Sequence, residues 1–115
     1  MREMFKAMKY LVGAGLALST AIVTDGRFSG TNNGCFVGHI SPEAAEGGPI
    51  ALVKDGDRIT IDIPQKSLHL HVSDEELAER KKNWKRPDLK YRKGYLGLYE
   101  KFATSASEGG VIDYE

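Results

Sequence analysis

The apolar positions along this chain change their spacing several times, and each change marks a predicted element. Met4, Phe5, Met8, Leu11 and Val12 recur at three- and four-residue steps, the period of a helix with one apolar face. Residues 2–12 are therefore predicted helical, ending near Gly13 or Gly15, where a glycine accepts the left-handed cap conformation. The apolar run 17–23 that follows leads into Thr24-Asp25-Gly26 and reads as a buried strand feeding a loop. Ser41-Pro42-Glu43 has the order of a helix start, with Ser41 as N-cap, Pro42 at the first helical position and Glu43 near the positive end. Gly47-Gly48-Pro49 then stops that helix early. Residues 50–54 and 58–63 are predicted strands, joined as a hairpin through Asp55-Gly56-Asp57. Between 67 and 72 polar and apolar residues alternate, pointing Leu68, Leu70 and Val72 inward and His69 and His71 outward. Ser73-x-x-Glu76 is a capping box opening a helix to about Asn83, and Pro87-Asp88 breaks it. Residues 94–106 place Tyr95, Leu98, Tyr99 and Phe102 at helical spacing, a closing helix whose aromatics are expected in the core. The aperiodic stretch 107–115 is expected to be a mobile tail beyond a domain spanning 1–106. Strands mixed with short helices make the fold class α/β or α+β.

Composition narrows the picture modestly. The 115 residues suffice for one domain and not two. Sixteen basic and sixteen acidic residues cancel, so no global field draws the chain to nucleic acid or to an anionic membrane. The local cluster Arg80, Lys81, Lys82, Lys85, Arg86, Lys90, Arg92 and Lys93, interleaved with Trp84 and Tyr91, follows the acidic turn Asp74-Glu75-Glu76. That order suits the helix dipole better than a polyanion site. The basic start and apolar stretch of the N-terminus imitate a secretory leader, but Glu3 interrupts the basic region and the stretch runs into Thr24-Asp25-Gly26 without a small-residue cleavage site. It is also too short and too glycine-interrupted for a membrane span. The lone Cys35 excludes an internal disulfide and points to a reducing, cytoplasmic setting; it cannot supply the several thiolates of an iron-sulfur cluster, and a buried packing role is expected for it. His69 and His71 share one exposed strand face but lack a third ligand.

Candidate chemistry concentrates in Thr24-Asp25-Gly26-Arg27-Phe28-Ser29-Gly30-Thr31-Asn32-Asn33-Gly34. Glycines at 26, 30 and 34 allow positive φ or close approach to a ligand, and between them stand a carboxylate, a guanidinium and hydroxyls. Taken alone, such a loop equally suits an ordinary connection between strands or from strand to helix. The chain continues through Cys35-Phe36-Val37-Gly38-His39-Ile40-Ser41-Pro42-Glu43-Ala44-Ala45-Glu46-Gly47-Gly48-Pro49, Asp55-Gly56-Asp57 and Ile61-Asp62-Ile63-Pro64 to Ala103-Thr104-Ser105-Ala106. Over nearly its whole length it resembles the C-terminal part of the dihydroxy-acid dehydratases, iron-sulfur enzymes of branched-chain amino-acid synthesis. The wider family also dehydrates sugar acids and phosphogluconate. Met1 falls within what resembles the family's Gly-Met-(Arg/Pro)-Glu-Met segment. The chain is thus expected to be a C-terminal domain only, from a truncated reading frame, a split gene or an excised piece, inactive without the preceding domain.

The resemblance implies a β-barrel-like swivelling domain flanked by short helices, forming one wall of an active site. It implies an iron-sulfur cluster held by the missing N-terminal domain, magnesium, a small-molecule dihydroxy acid as substrate, and a homodimer for the full enzyme. By the family's Arg-Phe-Ser-Gly or Arg-Met-Ser-Gly motif, Ser29 is the catalytic base, an alkoxide that needs positive charge nearby. Ser29, Gly30 and Thr31 would bind substrate, with Thr31 matching a threonine of the sugar-acid enzymes. Glu3 matches the family's magnesium-binding glutamate. Asp25 and Arg27 would brace the loop, and His39 would be structural. Gly26 and Phe28 favour the branched-chain member. The alternatives are a sugar-acid or phosphogluconate dehydratase, or a non-catalytic product keeping only the swivelling fold.

Overall fold

The computed structural model describes residues 3–30, 33–88 and 90–114. It holds three α-helices, α1 (Phe5–Gly13), α2 (Asp74–Asn83) and α3 (Gly94–Phe102), and four short strands, β1 (Ala21–Val23), β2 (Cys35–Val37), β3 (Ile59–Asp62) and β4 (Ser67–Leu70), with single 3-10 turns between them. The fold is mixed α/β. Its strands pair as two separate ribbons, β1 with β2 in parallel and β3 with β4 antiparallel, so no closed barrel forms among the described residues.

Helix α1 follows from its periodicity. Met8 is fully buried, with 0% exposure, while Gly13 closes the helix and Gly15, at φ 72°, turns the chain away. The strand expected over 17–23 shrinks to β1: Leu18 is 95% exposed, because the chain is still turning there and Ser19 bonds back to the Leu16 carbonyl. Strand β2 runs parallel to β1, so residues 24–34 must carry the chain back along the ribbon. Gly34 permits this return, since a Cβ there would lie 2.6 Å from the Ala17 carbonyl oxygen. Cys35 opens β2 and is half-buried rather than fully enclosed.

The middle of the chain departs most from expectation. Ser41 does not cap a helix; the Ser41-Pro42 peptide is cis, and the 3-10 turn Ala44–Glu46 begins after Glu43. The segment 42–48 closes on itself, with the Glu43 carbonyl accepting from the Glu46 and Gly48 amides, and no side chain fits at Gly48, where a Cβ would meet the Pro42 oxygen at 1.9 Å. The strand expected at 50–54 is a second 3-10 turn, Pro49–Leu52, with proline at its start. The Asp55-Gly56-Asp57 turn does form, Gly56 at φ 91° and the Asp57 carboxylate accepting from the Lys54 amide, but it joins that 3-10 turn to β3. The partner of β3 is β4, with Ile59 opposite Leu70 and Asp62 opposite Ser67. His69 and His71 are exposed and their rings meet edge to face 4.6 Å apart.

The Ser73 hydroxyl caps α2 by accepting from the Glu76 amide, but the Glu76 carboxylate turns to Arg80 and Lys54, so only half of the expected box forms. Arg80 docks α2 on the middle of the chain: its guanidinium donates to both Asp57 oxygens and to the Leu52 carbonyl. That guanidinium, with the Lys54 amide, lowers the Asp57 carboxyl from its ordinary 3.8 to about 2. Lys81 donates to the Gly47 carbonyl beside Trp84, Lys82 pairs with Glu79, and Arg86 pairs with Glu46. Much of the basic cluster is thus engaged inside the chain.

The aromatic stripe of α3 is not core. Tyr95 is 91% exposed and Tyr99 and Leu98 are about half exposed, Phe102 alone of the four being half-buried, because no other helix or strand among the described residues packs extensively on α3. Beyond α3, Ser105 and Glu108 cap the 3-10 turn Ala106–Glu108 reciprocally, and Ile112 bridges back to Ala103. The whole chain exposes 9044 Å², against the roughly 6,200 Å² of a compact monomer of its 12.6 kDa. Its radius of gyration is 16.0 Å, where a compact domain of this length has about 13 Å. The surface thus exceeds that of a compact monomer by about 2,800 Å², and large apolar side chains such as Leu18, Tyr95 and Tyr10 stand exposed on it.

Candidate active site

The loop carrying Ser29 is fixed at several points. At its start, the Thr24 amide donates to the Val37 carbonyl and the Thr24 hydroxyl accepts from the Gly26 amide. The Asp25 carboxylate accepts from the Ala44 amide at 2.8 Å, tying the loop to the 42–48 turn. The Gly26 carbonyl accepts from the His39 amide, and His39 sits at φ 53°, with Gly38 between it and the end of β2. Arg27 lies alongside Glu3 in a parallel bridge: the Met4 amide donates to the Arg27 carbonyl at 2.7 Å, and the Arg27 guanidinium donates to Glu3 Oε1 at 3.0 Å. The Phe28 ring packs on Phe36 of β2, centroids 5.6 Å apart, with Gly38 leaving room for it. Gly30, at φ 89°, lies over α1, its missing side chain facing Phe5 and Met8.

Ser29 stands between these last anchors, on a half-buried stretch, with no hydrogen-bond partner for its hydroxyl among the described residues. Of the residues expected at the site, Glu3, Arg27 and Gly30 meet at the junction of α1 with the loop, Ser29 precedes Gly30 in the chain, and the Asp25 carboxylate is turned to the Ala44 amide; Thr31 lies outside the described residues. Glu3 and Arg27 are brought together as an exposed ion pair, worth little in stability but sufficient to orient both side chains.

The implied metal groups do not fit these residues. No cluster of three or more histidine, cysteine, aspartate or glutamate side chains is poised for a metal among the described residues. Glu3 offers one carboxylate, already held by Arg27, and a hard cation needs several oxygens. The single half-buried Cys35 cannot hold an iron-sulfur cluster. No helix among the described residues is long and apolar enough to cross a membrane.

A polar cluster that the motifs did not announce lies on the far side of the 42–48 turn. The Glu43 carboxylate accepts from the Ser105 hydroxyl at 3.0 and 2.9 Å and from the Ala106 amide at 3.2 Å. Ser41 Oγ lies 2.9 Å from Ser105 Oγ and 2.8 Å from Ser107 Oγ. Burial pushes the Glu43 carboxyl up, but amide and hydroxyl hydrogen bonds and the nearby His39 outweigh it and hold it below the usual range. These groups border a cavity of about 530 Å³, flanked by Arg86 and Lys101, whose lining includes none of the loop residues 24–30. Ser105-x-x-Glu108 has the same capping-box spacing as Ser73-x-x-Glu76, and that was the signal available in the sequence for the turn at 106–108.

Residues 1–110 match the family described as dihydroxy-acid/6-phosphogluconate dehydratase C-terminal. Among similar proteins is a dihydroxy-acid dehydratase of Synechococcus sp. (strain JA-3-3Ab), 53% identical over 113 residues, or 98% of this chain and 20% of that protein. Another, from Geotalea daltonii, is 56% identical over 111 residues, covering 96% of this chain and 20% of that protein. A third, from Methanococcus aeolicus, is 50% identical over 112 residues, covering 97% of this chain and again 20% of that protein. The chain spans about one fifth of the length of these relatives.

Proposed function

We propose, for a chain that belongs to the dihydroxy-acid/6-phosphogluconate dehydratase C-terminal family, that it supplies the catalytic-base wall of a dihydroxy-acid dehydratase. That enzyme is a hydro-lyase acting on 2,3-dihydroxy carboxylates in branched-chain amino-acid synthesis. The observation that carries this reading is the multiply anchored loop presenting Ser29 and Gly30 beside α1, within a chain half identical to dehydratases throughout. The reaction removes the proton from C2 and expels hydroxide from C3; the enol left behind becomes the 2-keto acid, and the net loss is water. Ser29 takes the C2 proton as an alkoxide, and Gly30 and Thr31 line the substrate. Asp25 and Arg27 hold the loop at the geometry that proton transfer needs.

A serine hydroxyl is far too weak an acid to serve as a base unaided, so positive charge must stand beside it. Arg27 is paired with Glu3, and on the proposed reading that charge is supplied by groups outside this chain. The cluster ligands and the remaining magnesium ligands belong to the rest of the polypeptide, and Glu3 contributes at most one oxygen after releasing Arg27. The barrel-like form belongs to the same complete enzyme, in which the two open ribbons and the outward apolar surface meet the preceding domain and, in a homodimer, a second copy.

The test is Ser29→Ala in the complete enzyme. Loss of positioned proton transfer lowers turnover on the order of a hundredfold to ten-thousandfold, with substrate affinity and metal content little changed. Near-normal turnover at unchanged metal content overturns the assignment. Comparing 2,3-dihydroxyisovalerate with aldonates then separates the branched-chain reading from a sugar-acid one.

A further inference from the structure

Two adjacent residues of the 42–48 turn face in different directions. The Ala44 amide donates to Asp25, at the root of the Ser29 loop, at 2.8 Å. The Glu43 carboxylate takes the Ser105 hydroxyl on both oxygens and the Ala106 amide on one. Between these contacts the turn cannot flex freely: the Glu43 carbonyl accepts from two amides of the same turn, and Gly48 is packed so closely on Pro42 that no Cβ fits. A shift of the Ser105–Ser107 segment is therefore passed to Ala44, and from Ala44 to Asp25. Ser41 reinforces the same seat through Ser105 and Ser107.

We infer that Glu43 is a positioning residue for the reaction, seating the Ser105–Ser107 segment against the 42–48 turn so that Ala44 holds Asp25 and the Ser29 loop in register. It acts through Asp25 and touches neither substrate nor metal. The inference rests on the reading of Ser29 as the base, because only then does the register of its loop govern rate. Ser105 and Ala106 close the domain expected over 1–106, and Ser107 opens the stretch expected to be a mobile tail.

The test uses the complete enzyme and five variants, Asp25→Ala alone among them, with kcat and KM measured per folded enzyme and with Ser29→Ala run in parallel. Glu43→Ala lowers kcat about tenfold to a hundredfold, the size of effect that a displacement on the order of 1 Å at reacting groups produces, while KM changes little. Glu43→Gln keeps a carbonyl acceptor for Ser105 and Ala106 and restores most of the rate. Ser105→Ala loses part of it. Asp25→Ala combined with Glu43→Ala loses less than the product of the single losses, since both act through one connection. A Glu43→Ala enzyme with normal kcat, a loss that disappears per folded enzyme, or multiplying losses in the double variant overturns the inference. Should Glu43→Ala fail to fold, the Glu43→Gln and Ser105→Ala rates decide the matter in the same direction. If Ser29→Ala itself retains turnover, it is the base assignment that fails; if Ser29→Ala is dead and Glu43→Ala is normal, only the positioning role fails.

Discussion

Gly30→Ala tests whether the backbone of the loop, and not only its hydroxyl, is set for catalysis. At φ 89° an L-residue carries about 1–2 kcal/mol of backbone strain. The added Cβ would also stand 3.1 Å from Phe5 Cε2 and 3.3 Å from Cδ2, inside the roughly 3.5–4.0 Å of a relaxed carbon contact. Phe5 is 44% exposed, so its ring can retreat, at about 0.5–1.5 kcal/mol for leaving its rotamer. The two costs together disfavour the observed loop by about 1.5–3.5 kcal/mol, which reduces the competent population roughly tenfold to a few hundredfold. Steady-state kinetics on the complete enzyme should show that loss mainly in kcat. Adding Phe5→Ala removes the steric part and leaves the backbone part, so the double variant recovers about threefold to tenfold and no more. Full activity in Gly30→Ala, or complete recovery in the double variant, would refute the claim that the left-handed backbone at Gly30 holds Ser29 in place.

Two further outcomes follow from the packing and the charges. Met8→Ala, at the one fully buried side chain among the described residues, should weaken the seat of α1 by about 2–5 kcal/mol. Hydrogen exchange across residues 5–13 of the complete enzyme reads this directly, and a loss no larger than that of Met8→Leu would show that Met8 is not a packing anchor. Asp57 has a folded-state pKa below its unfolded one, so its contribution to stability is present above about pH 4 and is lost as pH falls from 3.8 towards about 2. The melting temperatures of wild type and Asp57→Asn should therefore differ at pH 7 and converge in that acid window; a gap independent of pH would place the contribution elsewhere.

Helix α1 and the α2 cap were legible in the sequence because local signals decide them: apolar residues at helical spacing for one, Ser73 before an acidic turn for the other. The 41–54 region was not, because its structure depends on partners distant in sequence. Ala44 is capped by Asp25, Glu43 is engaged by Ser105, and Ile50 finds no strand beside it once β3 pairs with β4. The aromatics of α3 were misread for a related reason. Their periodicity correctly announced an apolar face, but periodicity does not say which surface covers it. At the site, the motif identified the loop; its attachment to Glu3 and to the 42–48 turn is a product of tertiary structure.

The large outward surface of the chain bears on how such an enzyme is made. Ribosomes release a C-terminal fifth last, so in a polypeptide built like these relatives these residues emerge when everything before them has already been synthesised. On the proposed reading, a segment that encloses little apolar surface by itself would mature by docking on a finished template, and its folding would in effect be an intramolecular binding step. Cells that make the two parts as separate chains would lose the high effective concentration of a tethered partner. Exposed tyrosines and leucines would instead await a collision, in competition with aggregation.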